Sequence, residues 1–322
     1  MAETDLLKTS ALTVEYPLSR QRAIHAVSGI DLTIRRHEVL ALVGESGCGK
    51  STLGRAMIRL VKPTSGRIFF EGAELTGMGR KEFLPYRRRM QMIFQDPYAS
   101  LDPRMSVRDI IAEPLETYRI CAAKEEITER VVELLQVVGL HEQHLYRCAH
   151  QFSGGQRQRI GIARAIALHP DFIVCDEPVS ALDVSVQNQI LNLLKDLQKD
   201  FGLTYLFISH DLSVVRFLAD RVCVMFLGKV CEVGDTEAVY TRPLHPYTRG
   251  LLEAIPKAEP RQRRERSFSL AGELPSPMDP PSGCRFRTRC PHAGPCCAAV
   301  EPKFREVDGR QVACHLYGED GV

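Results

Sequence analysis

The feature that most constrains this chain is a short apolar run followed by a glycine-rich loop and a helical pattern. Residues 39–43, VLALV, form a continuous apolar run that predicts a strand buried on both faces. The loop GESGCGKST follows directly and matches G-x-x-x-x-G-K-[ST] from Gly44 to Ser51. The next residues, LGRAMIRLV, have helical spacing. This succession of strand, loop and helix predicts an α/β fold.

The composition of the loop predicts a cradle for the phosphates of a nucleotide. Its glycines allow backbone N–H groups to close around phosphate oxygens. Lys50 is expected to reach the β- and γ-phosphates, the Ser51 hydroxyl to bind Mg²⁺, and Thr52 to donate near the α-phosphate. The residues predicted to bind nucleotide here are Gly44, Glu45, Ser46, Gly47, Cys48, Gly49, Lys50, Ser51 and Thr52.

The rest of the chain shows an interrupted strand pattern. Alternating apolar and polar positions over residues 11–43 predict strands with one open face, and short apolar runs predict buried strands at 66–72, 90–94, 172–175, 204–209 and 221–226. Between about 100 and 168 the strand pattern is replaced by helical spacing, which predicts a helical block inserted into the sheet. We predict a nucleotide-binding domain at 1–256, its helical subdomain at about 96–168, and a proline-rich, cysteine-bearing C-terminal extension at 257–322.

Polar residues follow several predicted strands and form candidate catalytic groups. Asp176 and Glu177 come directly after the apolar run FIVC, and we assign Asp176 to the Mg²⁺ shell and Glu177 to polarising the attacking water. Alone, such a pair is an ordinary loop start, but the phosphate loop upstream favours the catalytic interpretation. Gln95 follows MQMIF and is expected to reach Mg²⁺ and the water, and His210 follows YLFIS and is expected to contact the γ-phosphate.

A second glycine turn lies far from the first, in the stretch HQFSGGQRQRIGIARA at residues 150–165. Ser153 stands where a helix N-cap belongs, and Gly154 and Gly155 place bare N–H groups at a helix terminus that can hold an anion. A turn in a separate helical block cannot easily reach the γ-phosphate of its own chain. We therefore expect it to close over ATP held by another chain, so that two ATP molecules lie at a dimer interface.

Composition and charge limit the classes of partner. The formal net charge is only +2, from 42 Lys and Arg against 40 Asp and Glu, so the chain has no nucleic-acid-binding footprint. The first residues do not follow the signal-peptide pattern, and no apolar run has the length of a membrane span. We expect a soluble protein made in the cytosol, whose association with a membrane depends on a partner.

The last forty residues are rich in cysteine. Cys284, Cys290, Cys297 and Cys314 have the spacing C-x5-C-x6-C-x16-C, and Cys296 stands beside the third. Disulfides are disfavoured in the cytosol. The first gaps exceed the usual two to four residues between paired zinc ligands, whereas an iron–sulfur cluster tolerates wider spacing. The spacing leaves zinc, an iron–sulfur cluster and inert thiols open.

The ordered set of phosphate loop, Gln95, FSGGQ, CDE, SALD and His210 resembles the nucleotide-binding subunits of ABC transporters over roughly residues 10–250. This resemblance implies an ABC-type P-loop NTPase fold, with an N-terminal antiparallel β subdomain and a helical insert, and an ATPase activity. It implies that Tyr16 stacks on adenine. It also places Ser153, Gly154, Gly155, Gln156 and Asp183 against nucleotide at the dimer interface.

Finer features resemble the dipeptide and oligopeptide permease branch, and lean toward its F-type subunit. They are FQDPYASLDPRMSV after Gln95, HPYTRGLLEAIP at 245–256, and the tail GELPSP…GCRFRTRCP. The resemblance implies pairing with a second homologous ATPase, beneath two transmembrane permease subunits fed by an extracytoplasmic solute-binding protein. The location implied is the cytoplasmic face of the inner (plasma) membrane. It also implies a [4Fe–4S] cluster on the four spaced cysteines, with Zn²⁺ as the alternative.

The cargo and one rival function stay open at this point. Relatives of the peptide branch also serve importers of nickel, glutathione and other small solutes, since the permeases and the binding protein select the cargo. The rival is a soluble ABC ATPase that acts on nucleic acid. The single cassette, the short helical insert and the near-neutral charge disfavour that rival.

Overall fold

The computed structural model describes residues 5–19, 22–255 and 272–318, and the chain divides into two compact units. The first unit comprises Met1–Gly77 and Ile208–Val322, and the second comprises Met78–Phe207. The domain boundary expected after residue 256 lies outside the described residues. Among the residues described, none of the helices combines the length and the apolar character needed to cross a membrane.

The first unit begins with an antiparallel sheet and the strand that precedes the phosphate loop. The sheet has the order β2-β1-β4-β5, and the long pair β1–β2 alternates buried and more exposed side chains, which explains the alternating sequence pattern. The next strand, β3, is buried at all five positions. The elements are β1 (Asp5–Pro17), β2 (Ala23–Arg35), β3 (Val39–Val43), α1 (Lys50–Met57), β4 (Ser65–Phe70) and β5 (Ala73–Glu74).

The second unit contains the predicted helical block and a pair of parallel strands. The elements are α2 (Arg80–Arg89), β6 (Met90–Ile93), α3 (Val107–Thr117), α4 (Lys124–Val137), α5 (Gly154–Ile166), β7 (Phe172–Asp176) and α6 (Val184–Phe201), and β8 (Thr204–Ser209) leads the chain back to the first unit. Helix α3 packs against α4 and α5, and β6 runs parallel to β7. Because β7 is buried at every position, its sequence is continuously apolar up to the terminal Asp176.

The remainder of the first unit extends the sheet that contains β3. Its elements are α7 (Leu212–Leu218), β9 (Arg221–Phe226), β10 (Lys229–Asp235), α8 (Thr236–Thr241), α9 (Pro246–Glu253), α10 (Pro295–Ala299), β11 (Arg305–Val307) and β12 (Arg310–Val312). Strand β9 is parallel to β3 and antiparallel to β10, and β12 is antiparallel to both β10 and β11. The C-terminal extension therefore belongs to the same sheet as the strand before the phosphate loop.

A buried ion pair fastens this extension. The guanidinium of Arg310, on β12, donates to Glu232 of β10 at 3.3 Å, and both side chains are almost fully buried. Glu232 also accepts hydrogen bonds from the backbone N–H groups of Leu244 and His245. A buried carboxylate is tolerated only when it is paired in this way, so Glu232 connects the hairpin β11–β12 with the start of α9.

The predicted α/β class, N-terminal antiparallel sheet, helical block and cysteine-bearing extension are confirmed. Each strand predicted from an apolar run is present. The hairpin β11–β12 was not predicted, because strands of three residues are too short to show an alternation.

Candidate active site

The phosphate loop has a backbone that only glycine accommodates at two of its positions. Gly44 and Gly49 have φ angles of 154° and 102°. A Cβ atom would lie 2.1 Å from the Met225 carbonyl oxygen at Gly44 and 2.0 Å from the Ala26 carbonyl oxygen at Gly49. The glycines thus permit the loop to lie directly on its neighbouring backbone, at the carboxyl end of β3.

Lys50 is held against the same loop. Its ammonium group donates hydrogen bonds to the carbonyl oxygens of Gly44 at 2.8 Å and Glu45 at 3.0 Å, and the residue is only 4% exposed. Ser51 and Thr52 follow it in the first turn of α1. The N–H groups of a first helical turn have no partner within the helix, so this segment presents backbone donors beside a cation.

Two predicted catalytic residues meet in the second unit. Gln95 follows β6 and Glu177 follows β7, and these parallel strands end at the same edge. The Gln95 side-chain amide donates to Glu177 Oε2 at 2.9 Å. Asp176 is the fully buried last residue of β7. Glu177 has a φ of 44°, a left-handed conformation that costs a non-glycine residue about 1–3 kcal/mol and is typical of functional sites.

The second glycine turn forms the predicted helix terminus. Ser153 is the N-cap of α5, and its hydroxyl accepts from the Gln156 N–H, while Gln156 Oε1 accepts from the Ser153 N–H at 3.1 Å. This reciprocal capping box uses the N–H groups of Ser153 and Gln156. The N–H groups of Gly154 and Gly155 lie in the first turn, where a helix offers no backbone acceptor. A Cβ atom on Gly155 would lie 2.4 Å from Val186 Cγ1, so the close packing of α5 on the start of α6 requires glycine there.

The other predicted nucleotide contacts lie at the ends of secondary structure elements. Tyr16 is near the end of β1 and is 38% exposed. His210 lies exposed between β8 and α7, and Asp183 is exposed at the N-cap position of α6. Their assigned roles stay predictions.

The structure brings the four spaced cysteines together. Cys284, Cys290, Cys297 and Cys314 line one small cavity. Burial, together with a smaller contribution from the neighbouring cysteines of the cavity, raises the pKa of Cys284 to about 11 and that of Cys314 to about 12. A second grouping shares one member, since ligand atoms of Cys296, Cys297 and His315 lie within 4.8 Å of one another.

Two residues that contact the phosphate loop were not predicted. Arg289 forms an ion pair with Glu45 at 2.8 Å, and the Tyr247 hydroxyl accepts a 2.9 Å hydrogen bond from the Glu45 N–H. Tyr247 lies in the HPYTRG stretch that carried the resemblance to the peptide branch, so a signal existed for it. No local pattern indicated Arg289, because it is 244 residues from Glu45 in sequence.

Comparison with known proteins agrees with this geometry. Residues 27–180 match the ABC transporter family, and residues 231–297 match the oligopeptide/dipeptide transporter C-terminal region. The chain is 53% identical over 298 residues to the oligopeptide transport ATP-binding protein AppF of Bacillus subtilis, covering 91% of this chain and 90% of AppF. It is 52% identical over 294 residues to the oligopeptide transport ATP-binding protein OppF of Escherichia coli, covering 91% of this chain and 88% of OppF.

Solved structures give the same result for the fold. The ATP-binding cassette MJ0796, in a dimeric post-hydrolysis state bound to ADP and Pi, superimposes with a TM-score of 0.66 at 31% sequence identity. The match covers 72% of this chain and 99% of the cassette, and it confirms the predicted ABC type of the P-loop NTPase fold. The chain therefore belongs to the ATP-binding subunits of the oligopeptide and dipeptide ABC transporter family, and it is an ATPase.

Proposed function

We propose that this ATPase powers the import of di- and oligopeptides. The observation that carries the proposal is the identity of 52–53% to oligopeptide transport ATP-binding proteins over 91% of the chain, including the C-terminal region specific to that branch. In this proposal the chain pairs with a second homologous ATPase subunit. The pair lies at the cytoplasmic face of the cell membrane, under two permease subunits that an extracytoplasmic solute-binding protein supplies.

The first unit supplies the phosphate-binding groups. Residues 44–52 surround the phosphates with backbone N–H groups, and the Lys50 ammonium, now on the Gly44 and Glu45 carbonyl oxygens, transfers its hydrogen bonds to the β- and γ-phosphates. Tyr16 presents an exposed ring for adenine, and His210 an exposed imidazole for the γ-phosphate. The Ser51 hydroxyl is an oxygen ligand of the type that Mg²⁺ binds.

The second unit supplies the groups that act on water. Glu177 polarises the water for in-line attack and accepts its proton. The hydrogen bond from Gln95 Nε2 fixes the Glu177 carboxylate and leaves the Gln95 amide oxygen as the cation-binding atom. Asp176 and Gln95 thus offer oxygen ligands suited to Mg²⁺, which when bound neutralises charge on the phosphates.

The second glycine turn acts on the nucleotide of the partner subunit. Ser153, Gly154, Gly155 and Gln156 form a capped helix terminus that is suited to an anion, and Asp183 lies exposed at the start of the next helix. In the proposal this turn covers the ATP bound by the second ATPase, and the partner's turn covers the ATP bound here. Closure on two ATP molecules and reopening after hydrolysis then drive the permeases.

The tail cysteines are suited to a metal centre. The four side chains line one cavity, and a bound cation would deprotonate thiols that burial otherwise keeps neutral, as metal binding to cysteine requires. We propose that Cys284, Cys290, Cys297 and Cys314 hold an iron–sulfur cluster, which would cross-link the extension. Zinc bound by the same cysteines, or by Cys296, Cys297 and His315, is the alternative outcome.

Transport in cells tests the proposed cargo. In a host that lacks this chain, uptake of a labelled tripeptide and a labelled pentapeptide should return with the wild-type chain and stay absent with Glu177→Gln. Glu129→Gln, an exposed carboxylate on α4, is the matched control and should restore uptake. Nickel and glutathione are measured in parallel. Restored nickel or glutathione uptake without peptide uptake would contradict the peptide assignment.

A further inference from the structure

Arg289, in the C-terminal extension, forms an ion pair with a residue inside the phosphate loop. One guanidinium nitrogen of Arg289 lies 3.1 Å from Oε1 and 2.8 Å from Oε2 of Glu45. The Arg289 side chain is 6% exposed and that of Glu45 is 24% exposed, so water screens this pair only partly. The carboxylate in the loop is therefore neutralised by a cation from outside the loop.

The backbone of the same residue is also held. The Glu45 N–H donates to the hydroxyl of Tyr247, which is fully buried. The Tyr247 ring packs against Phe226 at 4.8 Å and Phe286 at 5.4 Å between ring centroids. Burial raises the pKa of Tyr247, so its hydroxyl stays neutral and its oxygen accepts the hydrogen bond. The side chain of Glu45 is thus held by the extension, and its backbone is held by Tyr247 of α9, which packs on Phe286 of the extension.

A turn and a set of packed aromatic rings position Arg289 beside the phosphate loop. The backbone N–H of Arg289 donates to the carbonyl of Phe286, which forms a tight turn, and Phe286 packs edge-on against Phe226 at 5.3 Å. The Arg289 guanidinium lies 5.9 Å from the Phe226 ring centroid. Phe226 is the last residue of β9, the parallel neighbour of the strand that leads into the loop. Arg289 therefore reaches the loop from a segment that packs on Phe226 and Phe286.

A carboxylate in a loop that binds phosphate has an electrostatic cost. Without its partner, an ionised Glu45 repels the phosphates and is drawn toward the Lys50 ammonium that should serve them. We propose that Arg289 is a positioning residue of the phosphate loop, which neutralises Glu45 and holds it away from the nucleotide. This inference rests on the proposed phosphate-binding role of residues 44–52.

A purely structural role for Arg289 makes a different prediction. If the ion pair only fastened the extension, removal of either partner would lower stability, and neither loss would repair the other. If Arg289 acts by neutralising Glu45, then Arg289→Gln weakens ATP binding, and the additional change Glu45→Gln restores it. The double-mutant comparison separates the two, because the coupling appears in nucleotide affinity rather than in stability.

The experiment uses the purified full-length chain and titration with a fluorescent trinitrophenyl analogue of ATP. Arg289→Gln should bind the analogue about tenfold more weakly, and the double variant Glu45→Gln/Arg289→Gln should return to within about twofold of wild type. Turnover at saturating ATP should stay within about twofold for Arg289→Gln, so that KM rises while kcat is maintained. Arg305→Gln, an exposed arginine on β11, is the matched control.

Two results would show that Arg289 does not act on nucleotide binding through Glu45. Wild-type affinity in Arg289→Gln, or weak affinity that Glu45→Gln fails to restore, would overturn the inference. If Arg289→Gln does not fold, Arg289→Lys and the double variant carry the test, with affinity within about threefold of wild type expected for both. Lys50→Ala is run alongside, because undiminished affinity in that variant would refute the phosphate-loop assignment itself.

Discussion

The side-chain amide of Gln95 donates a 2.9 Å hydrogen bond to the carboxylate of Glu177. The two residues are 82 positions apart and follow neighbouring parallel strands, β6 and β7. Glu177 also holds a left-handed backbone conformation. The hydrogen bond orients the Glu177 carboxylate, and the strained backbone is typical of a functional site. The proposed water-polarising role requires such an orientation, since a general base must be in place before the reaction begins.

Glu177→Gln should block hydrolysis and retain ATP. The amide is nearly isosteric with the carboxylate but cannot accept the proton of the attacking water, so turnover should fall by about 10²- to 10⁴-fold. Size-exclusion chromatography of the mixed ATPase pair with ATP should then show a trapped dimer. The control Glu129→Gln should hydrolyse ATP normally. Near-full turnover in Glu177→Gln would refute the assigned role.

Lys50→Ala should abolish useful ATP binding. The buried ammonium is held on two carbonyl oxygens of the loop, and the charge-assisted hydrogen bonds it would give to phosphate are worth about 1.5–3 kcal/mol. Affinity for ATP should therefore fall about 10- to 100-fold, as measured by equilibrium titration. Lys62→Ala, at an exposed lysine, should bind as wild type does. Unchanged affinity in Lys50→Ala would exclude the cradle.

The sequence predicted the parts of the site that are built from adjacent residues. The phosphate loop was recognisable because its glycines lie within six positions of one another. Positive φ angles and close backbone neighbours require glycine at Gly44 and Gly49. Asp176 and Glu177 were recognisable because a strand buried on both faces must be continuously apolar, so two acidic residues at its end stand out. Ser153 was recognisable because helix capping is a local interaction.

The sequence did not predict contacts between distant segments. The pairing of Arg289 with Glu45 depends on a turn in the extension and an aromatic base formed by Phe226, Phe286 and Tyr247. An arginine among other arginines in GCRFRTRCP has no distinguishing local pattern. The hairpin β11–β12 was missed because β12 is fixed by its pairing with β10 and by the buried pair Glu232–Arg310, and β11 by its pairing with β12, not by periodicity.

Gly154→Val should inactivate the partner's nucleotide pocket while leaving the mutant's own pocket intact. A Cβ added at Gly154 would lie 3.3 Å from Leu182 Cδ2 and 3.4 Å from the Tyr98 hydroxyl. Because these neighbours leave no room beneath it, the valine side chain should project outward from the turn. In a mixed pair with the wild-type second ATPase, vanadate trapping of labelled nucleotide should be lost on the second ATPase and kept on this chain.

The matched control for that change is Gly161→Ala, on the same helix α5, where an added Cβ meets no atom within 4 Å. It should leave trapping on both subunits unchanged. Equal trapping on both subunits in the Gly154→Val pair would contradict the proposal that the turn of each subunit covers the nucleotide bound by the other.

The protein purified without oxygen should contain iron and acid-labile sulfide at about four of each per chain, the composition of a four-iron cluster, and should be brown. Because Cys284, Cys290, Cys297 and Cys314 line one cavity, Cys314→Ser should lose the iron, whereas Cys296→Ser should keep it. The opposite pattern would favour the grouping of Cys296, Cys297 and His315. Stripping the metal should also weaken ATP binding, since Cys290 adjoins Arg289 and a loosened extension would release Glu45. Zinc at about one per chain in place of iron would contradict the cluster and identify a structural zinc site.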